Sequence, residues 1–229
     1  MDIGKAFSFV FEDKDWVSKI LIAAAISLVG TLLGILIIPA ILAAALLGGY
    51  MVEIARRVIQ DHPQVLPEWD NWGTLLTDGL KFIVISIVYA APMILASICL
   101  GIPVGLLSED NPELSTALSL VLSCLDILWA IVLSLFLPAA VGAFAAEGEL
   151  GAAFRFGRVF SLVRNNFSTY LIVLVMSWIA SLIGGLGVII CLIGWLATYP
   201  YSYMVIGHLY GQAYRKATGQ VSAPFPETW

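Results

Sequence analysis

The sequence is poor in charge, and this shortage excludes most soluble architectures. Only 12% of its 229 residues are Asp, Glu, Lys or Arg, whereas 60% are hydrophobic. A soluble domain carries about 25% charged and about 45–50% apolar residues. A globule of this length would have too few ionic groups to cover its surface in water. The composition therefore indicates an all-α membrane protein whose helices lie largely in lipid.

Basic charge, cysteine patterns and catalytic motifs are also scarce. The formal net charge of −5 excludes the strongly basic face that nucleic-acid binding needs. Cys99, Cys124 and Cys191 lie in apolar runs without CxxC or Cys/His spacing, which predicts buried free thiols. The motifs HExxH, GxSxG, GxGxxG and the P-loop are missing. We therefore expect no catalytic residues, no metal and no cofactor.

What the chain has instead is a series of long apolar runs. A helix needs roughly 20 apolar residues to cross about 30 Å of hydrocarbon. The charge-free run from Ile20 to Val52 is too long for one crossing, and Pro39 near its middle predicts a turn. The pattern predicts a polytopic helical bundle with six transmembrane helices in three hairpins. The predicted spans are residues 17–38, 40–59, 81–107, 114–146, 168–185 and 187–210, followed by a tail at 211–229.

The positions of the basic residues predict the orientation. With these spans, all 11 Lys and Arg residues fall on one side of the membrane, and the other side carries only Glu109, Asp110 and Glu113. Basic loops stay in the cytoplasm, so both chain ends are expected there, in the cell membrane. Four spans with one re-entrant hairpin remain an open alternative.

Three stretches that precede a span have apolar residues at helical spacing, around residues 5–12, 72–81 and 153–163. They predict amphipathic helices on the cytoplasmic membrane surface, although each stretch alternatively leads directly into its span. Each span that follows opens with Asp or Asn and then an aromatic residue, which predicts a helix cap and an interfacial anchor. These pairs are Asp15-Trp16, Asn71-Trp72 and Asn166-Phe167.

Asp126 is the strongest candidate for a functional residue inside the membrane. It lies about twelve residues into span four, or ~18 Å deep at 1.5 Å per residue. A carboxyl group there costs roughly 2.5–3.5 kcal/mol to insert, so we expect it to face the bundle interior and to have a hydrogen-bond partner. Two interpretations remain open, a structural hydrogen bond between helices and a site for a proton, a cation or a polar solute. Its candidate partners are Ser119 and Ser123 on the same helical face, and Thr198, Tyr199 and Tyr203 in span six.

A second candidate set lies on the cytoplasmic side. Basic residues there are suited to anionic lipid headgroups, and an aromatic, acidic loop is suited to a protein partner. The alternatives are a helical ion pair between Glu53 and Arg57 and a loop that packs as a cap on the bundle. The set comprises Arg56, Arg57, Glu68, Trp69, Asp70, Trp72, Arg155, Arg158 and Arg164. The glycine pairs 30/34, 101/105 and 207/211 have the spacing that lets membrane helices approach closely.

Several local motifs resemble one prokaryotic membrane family. They are the opening residues 1–7, the segment Gly49–Arg57, the element Leu66-Pro67-Glu68-Trp69-Asp70-Asn71-Trp72-Gly73 and the late Gly207-His208-Leu209-Tyr210-Gly211. Together they resemble the family catalogued as domain of unknown function 4013. The resemblance implies a multi-pass helical protein of archaea and some bacteria, and it implies no activity or ligand.

These features favour a non-enzymatic bundle that organises membrane lipids or partner proteins through its cytoplasmic face. The alternative is a small transporter or channel for protons, cations or a polar solute that uses Asp126. A subunit of a larger complex, or a homo-oligomer, is also consistent with the sequence.

Overall fold

The computed structural model describes residues 1–189 and 191–219, with only the backbone at 191–193. All regular structure in these residues is α-helical. The elements are α1 (Ile3–Glu12), α2 (Trp16–Leu32), α3 (Ile37–Ile59), α4 (Trp72–Asp110), α5 (Pro112–Glu147), α6 (Leu150–Ala153), α7 (Phe156–Asn165), α8 (Phe167–Leu186) and α9 (Cys191–Thr218). The predicted tail at 211–229 is helical up to Thr218, and its residues 220–229 lie outside the described part.

Four helices are long and apolar enough to cross a membrane: α3, α4, α5 and α8. A fifth candidate is the pair α1 and α2, whose axes are bent by 96° at the break between them. The chain is thus an all-helical protein with four or five candidate membrane spans among its described helices. This bend also sets α1 almost perpendicular to α2.

The aromatic residues expected at the membrane entries begin helices. Trp16, Trp72 and Phe167 are the first residues of α2, α4 and α8. The Asp or Asn before each one occupies the N-cap position, but none of the three side chains makes a capping hydrogen bond. The position of these residues is as predicted, and the expected side-chain cap is not formed.

Two boundaries differ from the prediction. The chain turns at Leu33–Leu36, and Pro39 lies inside the first turn of α3. Proline is tolerated there because the first N–H groups of a helix have no intrahelical acceptor. The stretch 72–81, expected as a surface helix, continues without a break into α4. Of the other two stretches, residues 5–12 belong to α1, and 153–163 fall mostly in α7.

Glycine permits the closest helix contacts in the bundle. A Cβ atom at Gly49 would lie 1.8 Å from the carbonyl oxygen of Leu75, which shows that α3 and α4 touch through their backbones. Gly207 and Gly211 lie in the same way against Met51 and Ala55, where α9 packs on α3. The pair at 207/211 therefore mediates helix packing as predicted. In contrast, a Cβ at Gly101 or Gly105 would meet nothing within 4 Å.

The helices α4 and α5 extend well beyond the rest of the bundle. Their 39 and 36 residues correspond to lengths of ~58 and ~54 Å at 1.5 Å per residue. Val104 is the one buried residue between positions 86 and 110, and Ser115 is the one between 112 and 137. Ser115 donates to the carbonyl oxygen of Val104 at 2.8 Å, so the outer halves of α4 and α5 pack on each other.

Candidate functional site

The salt bridges of the described residues gather at one end of the bundle, which we call the charged end. The start of α2, the end of α3, the start of α4, the end of α5 and the end of α9 meet there. The turns at 33–36 and 187–189 lie at the opposite end of their helices and contain no charged residue. The charged end therefore corresponds to the predicted cytoplasmic surface.

Arg56 connects three helices at the charged end. Its guanidinium donates to Asp78 of α4 at 2.7 Å, to Glu53 of α3, and to the carbonyl oxygen of Ala145 in α5 at 3.2 Å. The Asp78 side chain is 9% exposed and the Arg56 side chain 19%. Because its donors already have acceptors within the protein, Arg56 holds the bundle together and is poorly placed to bind a lipid headgroup.

Lys19 is an almost completely buried cation at the start of α2. Its amine contacts Asp13 at 2.8 Å, Glu68 at 2.6 Å and the carbonyl oxygen of Leu66 at 3.3 Å. Burial opposes ionisation of Asp13, but hydrogen bonds from Lys19, the backbone N–H of Asp15 and Gln64, together with the charge of Lys19, outweigh it, so the pKa of Asp13 is lowered. Glu68 thus joins the loop after α3 to α2.

Trp69 packs as a cap over the charged end. Its ring stacks on Tyr50 with centroids 4.2 Å apart and planes 10° from parallel, and its Nε1 donates to the carbonyl oxygen of Lys19 at 3.1 Å. Trp69 is 8% exposed, whereas the neighbouring Trp72 is 43% exposed. Asp70 is exposed as well. Trp69 therefore agrees with the interpretation of this loop as a packed cap. Asp70 and Trp72 remain accessible, as the interpretation as a partner surface requires.

The remaining arginines of the predicted surface differ in how many contacts they make within the protein. Arg57 pairs with Glu53 at 3.1 Å, the helical ion pair considered from the sequence. Arg155 and Arg158 both pair with Glu147, and Arg158 also donates to the Tyr214 hydroxyl at 2.8 Å. The hydrogen bond to the Glu147 carboxylate contributes most to raising the pKa of Arg158.

Arg164 near the end of α7 is exposed and makes no ion pair among the described residues. The predicted basic surface is therefore divided between cations that brace the bundle and cations that remain available to a ligand.

Asp126 lies on the outer half of α5, exposed in the single chain. This exposure differs from the expectation that Asp126 faces the bundle interior, and Ser115 is the one buried residue of α5 between positions 112 and 137. The Asp126 carboxylate accepts a hydrogen bond of 3.1 Å from Ser97 of α4, so the expected hydroxyl partner exists but comes from the neighbouring span.

Four of the other proposed partners of Asp126 make hydrogen bonds elsewhere: Ser123, Thr198, Tyr199 and Tyr203. Ser123 donates to the carbonyl oxygen of Ser119 at 2.9 Å, one turn back along α5. Thr198 donates to Gly184 at 2.8 Å, and the hydroxyls of Tyr199 and Tyr203 lie 3.2 Å apart. Thr198 is thus engaged by α8, and Tyr199 and Tyr203 are engaged by each other within α9.

Two kinds of signal could have identified the residues that the sequence analysis missed. Asn111 is the one residue between α4 and α5, and this turn fixes their antiparallel register. Ser97 and Asp126 stand fourteen residues before and fifteen after it, so their contact follows from counting. Asp78, Asp13 and Glu147 carried a weaker signal, since each is an acidic residue within the basic side of the predicted topology.

Metal ligands do not cluster in the described ranges, where no group of three or more His, Cys, Asp or Glu side chains could hold an ion. No curated protein and no solved structure matches the chain. A family model described as "Protein of unknown function (DUF4013)" matches residues 32–193, which include α3 to α8 and the start of α9. The chain is an integral membrane protein that belongs to the DUF4013 family.

Proposed function

We propose that the chain is a six-span, non-enzymatic protein of a prokaryotic cell membrane, with its charged end and both chain ends in the cytoplasm. In this proposal α2 and α9 are the two further spans, and the six spans form three hairpins. The protein organises anionic lipids, or a protein partner, at its cytoplasmic face.

The observation that carries this proposal is the one-sided distribution of basic residues and ion pairs on the folded helices. Ion pairs tie the helix ends together at the charged end, and the turns at 33–36 and 187–189 are apolar. Placing the charged end in the cytoplasm agrees with the positive-inside rule. The reverse orientation would carry every Lys and Arg residue across the membrane.

The helix α7 is the best candidate for contact with lipid. It buries Val159 and Val163, while Phe156 and Phe160 are 56% and 54% exposed. Arg164, near its end, is exposed as well. Exposed aromatic rings with a nearby cation fit the boundary between acyl chains and headgroups.

Lipid preference in nanodiscs tests the proposed function. Mass spectrometry of lipids retained by the native protein should show enrichment of phosphatidylglycerol over phosphatidylcholine. The enrichment should fall in Arg155→Gln/Arg164→Gln and persist in the matched control Arg155→Lys/Arg164→Lys, which keeps both charges. Equal retention of the two lipids by the native protein would refute the lipid role.

The topology has its own test. In a variant without native cysteines, a cysteine at Asn111 should react with an impermeant reagent from outside the cell. A cysteine at Asn165 should react only after the membrane is opened. Reaction of both sites from the same side would contradict the six-span arrangement.

One observation favours a second candidate function, a transporter or channel that uses Asp126. A recess of about 390 Å³ lies beside α4 and α5 and is lined by Ser97, Asp126 and Trp129. The Trp129 Nε1 is buried and has no hydrogen-bond partner in the described chain. The test is flux of protons or cations into proteoliposomes. A flux that is present with the native protein and lost in Asp126→Asn would support the transporter and contradict the organising role.

A further inference from the structure

A recess of about 650 Å³ lies at the charged end, and we call it the basic cavity. It lies between the start of α1, the end of α3 with the loop after it, and the end of α9. Its size is within the range of about 300–1,000 Å³ that is usual for small-molecule sites. Its charged lining comprises Lys5, Arg57, Arg215 and Lys216 together with Asp2 and Asp61.

The cations of this lining exceed the carboxylates, although the whole chain has a net charge of −5. Arg57 pairs with Glu53, and Arg215 pairs with Asp61 at 2.5 Å. Lys5 and Lys216 are exposed, and neither has an ion pair within residues 1–189 and 191–219. The cavity therefore carries positive charge that the described residues leave unbalanced.

Helix dipoles account for some of these cations but not for Lys5. Arg57 and Arg215 with Lys216 lie in the last turns of α3 and α9, where positive charge is favourable. Lys5 is the third residue of α1, where the helix dipole disfavours a cation. A bound anion would compensate both this position and the repulsion between neighbouring cations.

The wall of the basic cavity is held by specific contacts. Gln212 of α9 accepts from the backbone N–H of Asp2 and donates to its carbonyl oxygen, each at 2.9 Å. The same side chain lies 3.2 Å from Nδ1 of His208, a residue that is 2% exposed and whose ring centroid is 4.5 Å from that of Phe9. These contacts fix the start of α1, and with it Lys5, against α9.

We propose that the basic cavity binds a phosphate group, supplied by an anionic phospholipid or by a soluble phosphate compound. Phosphate offers several acceptor oxygens to Lys and Arg donors that converge from different elements. The site is separate from the α7 surface, so this inference goes beyond the proposed function and does not depend on it.

The test uses purified full-length protein and two sources of phosphate. In the first arm, pyrophosphate is titrated in detergent at constant ionic strength and binding is measured by calorimetry. In the second arm, the thermal unfolding midpoint is compared in nanodiscs of phosphatidylcholine with and without phosphatidylglycerol. The variant is Lys5→Gln/Lys216→Gln, and the matched control is Lys14→Gln, which removes an exposed cation that lies outside both the cavity and the α7 surface.

For a soluble phosphate, we expect binding in the first arm that weakens about tenfold in the double variant, equivalent to about 1.4 kcal/mol. For a lipid, we expect phosphatidylglycerol to raise the unfolding midpoint of the native protein in the second arm but not that of the double variant. The control should behave like the native protein in both arms. Binding in the first arm identifies a soluble phosphate, and stabilisation in the second arm alone identifies a lipid. An unchanged unfolding midpoint of the unliganded variant shows that it is folded.

Absence of binding in both arms, or equal binding by the native protein and the double variant, would overturn the inference. Lipid enrichment that persists in Arg155→Gln/Arg164→Gln would contradict the proposed α7 surface alone, so the two proposals can fail separately.

Discussion

A Cβ atom at Gly79 of α4 would lie 1.6 Å from the carbonyl oxygen of Ala45 in α3. The two backbones therefore touch, and any side chain at this position must force the helices apart. Small residues drive helix association in lipid because close backbone approach maximises packing contacts.

We predict that Gly79→Ala lowers the free energy of unfolding by about 1–3 kcal/mol, because overpacking a tight contact shifts the backbone. The measurement is the thermal unfolding midpoint in detergent. Gly101→Ala in the same helix is the control, since its Cβ would meet nothing within 4 Å. A Gly79 variant as stable as the Gly101 variant would contradict the close contact.

Breaking the Arg56 contacts should be costly. Arg56→Gln removes the nearer of the two cations at the Asp78 carboxylate, which is 9% exposed, and leaves Lys81 at 3.4 Å. Removing one partner of a buried pair costs about 3–5 kcal/mol. Because Arg56 is partly exposed, the lower part of that range is expected. The double variant Arg56→Met/Asp78→Leu should be less destabilised than the sum of Arg56→Met and Asp78→Leu, as measured by a double-mutant cycle. Strict additivity would show that the pair is not coupled.

The Lys19 cluster predicts a loss of stability in acid. Since the pKa of Asp13 is lowered by folding, its contribution is complete above the ordinary Asp pKa of about 4 and is lost as pH falls through the lowered value.

Unfolding measured from pH 7 to pH 3 should show this loss in the native protein and less of it in Asp13→Asn. That variant should also be less stable at pH 7 by about 1.5–3 kcal/mol, the value of a hydrogen bond to a charged group. Asp70→Asn, at an exposed position, is the control and should keep the native pH profile. The same acid dependence in Asp13→Asn would refute the assignment.

The two tryptophans of the loop after α3 should respond differently to truncation. Trp69→Ala removes a stacked, buried ring and should cost about 3–5 kcal/mol. Trp72→Ala removes a ring that is 43% exposed and should cost less. The measurement is the thermal unfolding midpoint of each variant in the same detergent, and we expect the lower midpoint for Trp69→Ala. A larger loss in the Trp72 variant would mean that Trp69 does not act as the cap.

The predicted spans align with most of the observed helices because apolar length is a local property. Residues 40–59, 114–146 and 168–185 fall inside α3, α5 and α8. The boundary at Pro39 was less predictable, because the first turn of a helix tolerates proline and a turn need not contain one.

The site was predicted less well than the helices. Counting along the sequence predicts that Asp126 is a deep carboxylate, but it does not predict that this residue is exposed in the folded chain. The charged residues Arg56 and Glu68 were expected on a binding surface, and both are engaged in ion pairs. Their partners Asp78 and Lys19 are 22 and 49 residues away in the sequence, so no local pattern reveals them.

The sequence by itself determined the class of the protein, its apolar helices and the segregation of basic residues, since each of these depends on composition and periodicity along the chain. Only the tertiary structure decided which cations brace the bundle and which line the basic cavity. That division depends on which helix ends meet in space, and contacts between distant residues are set by packing of the whole bundle.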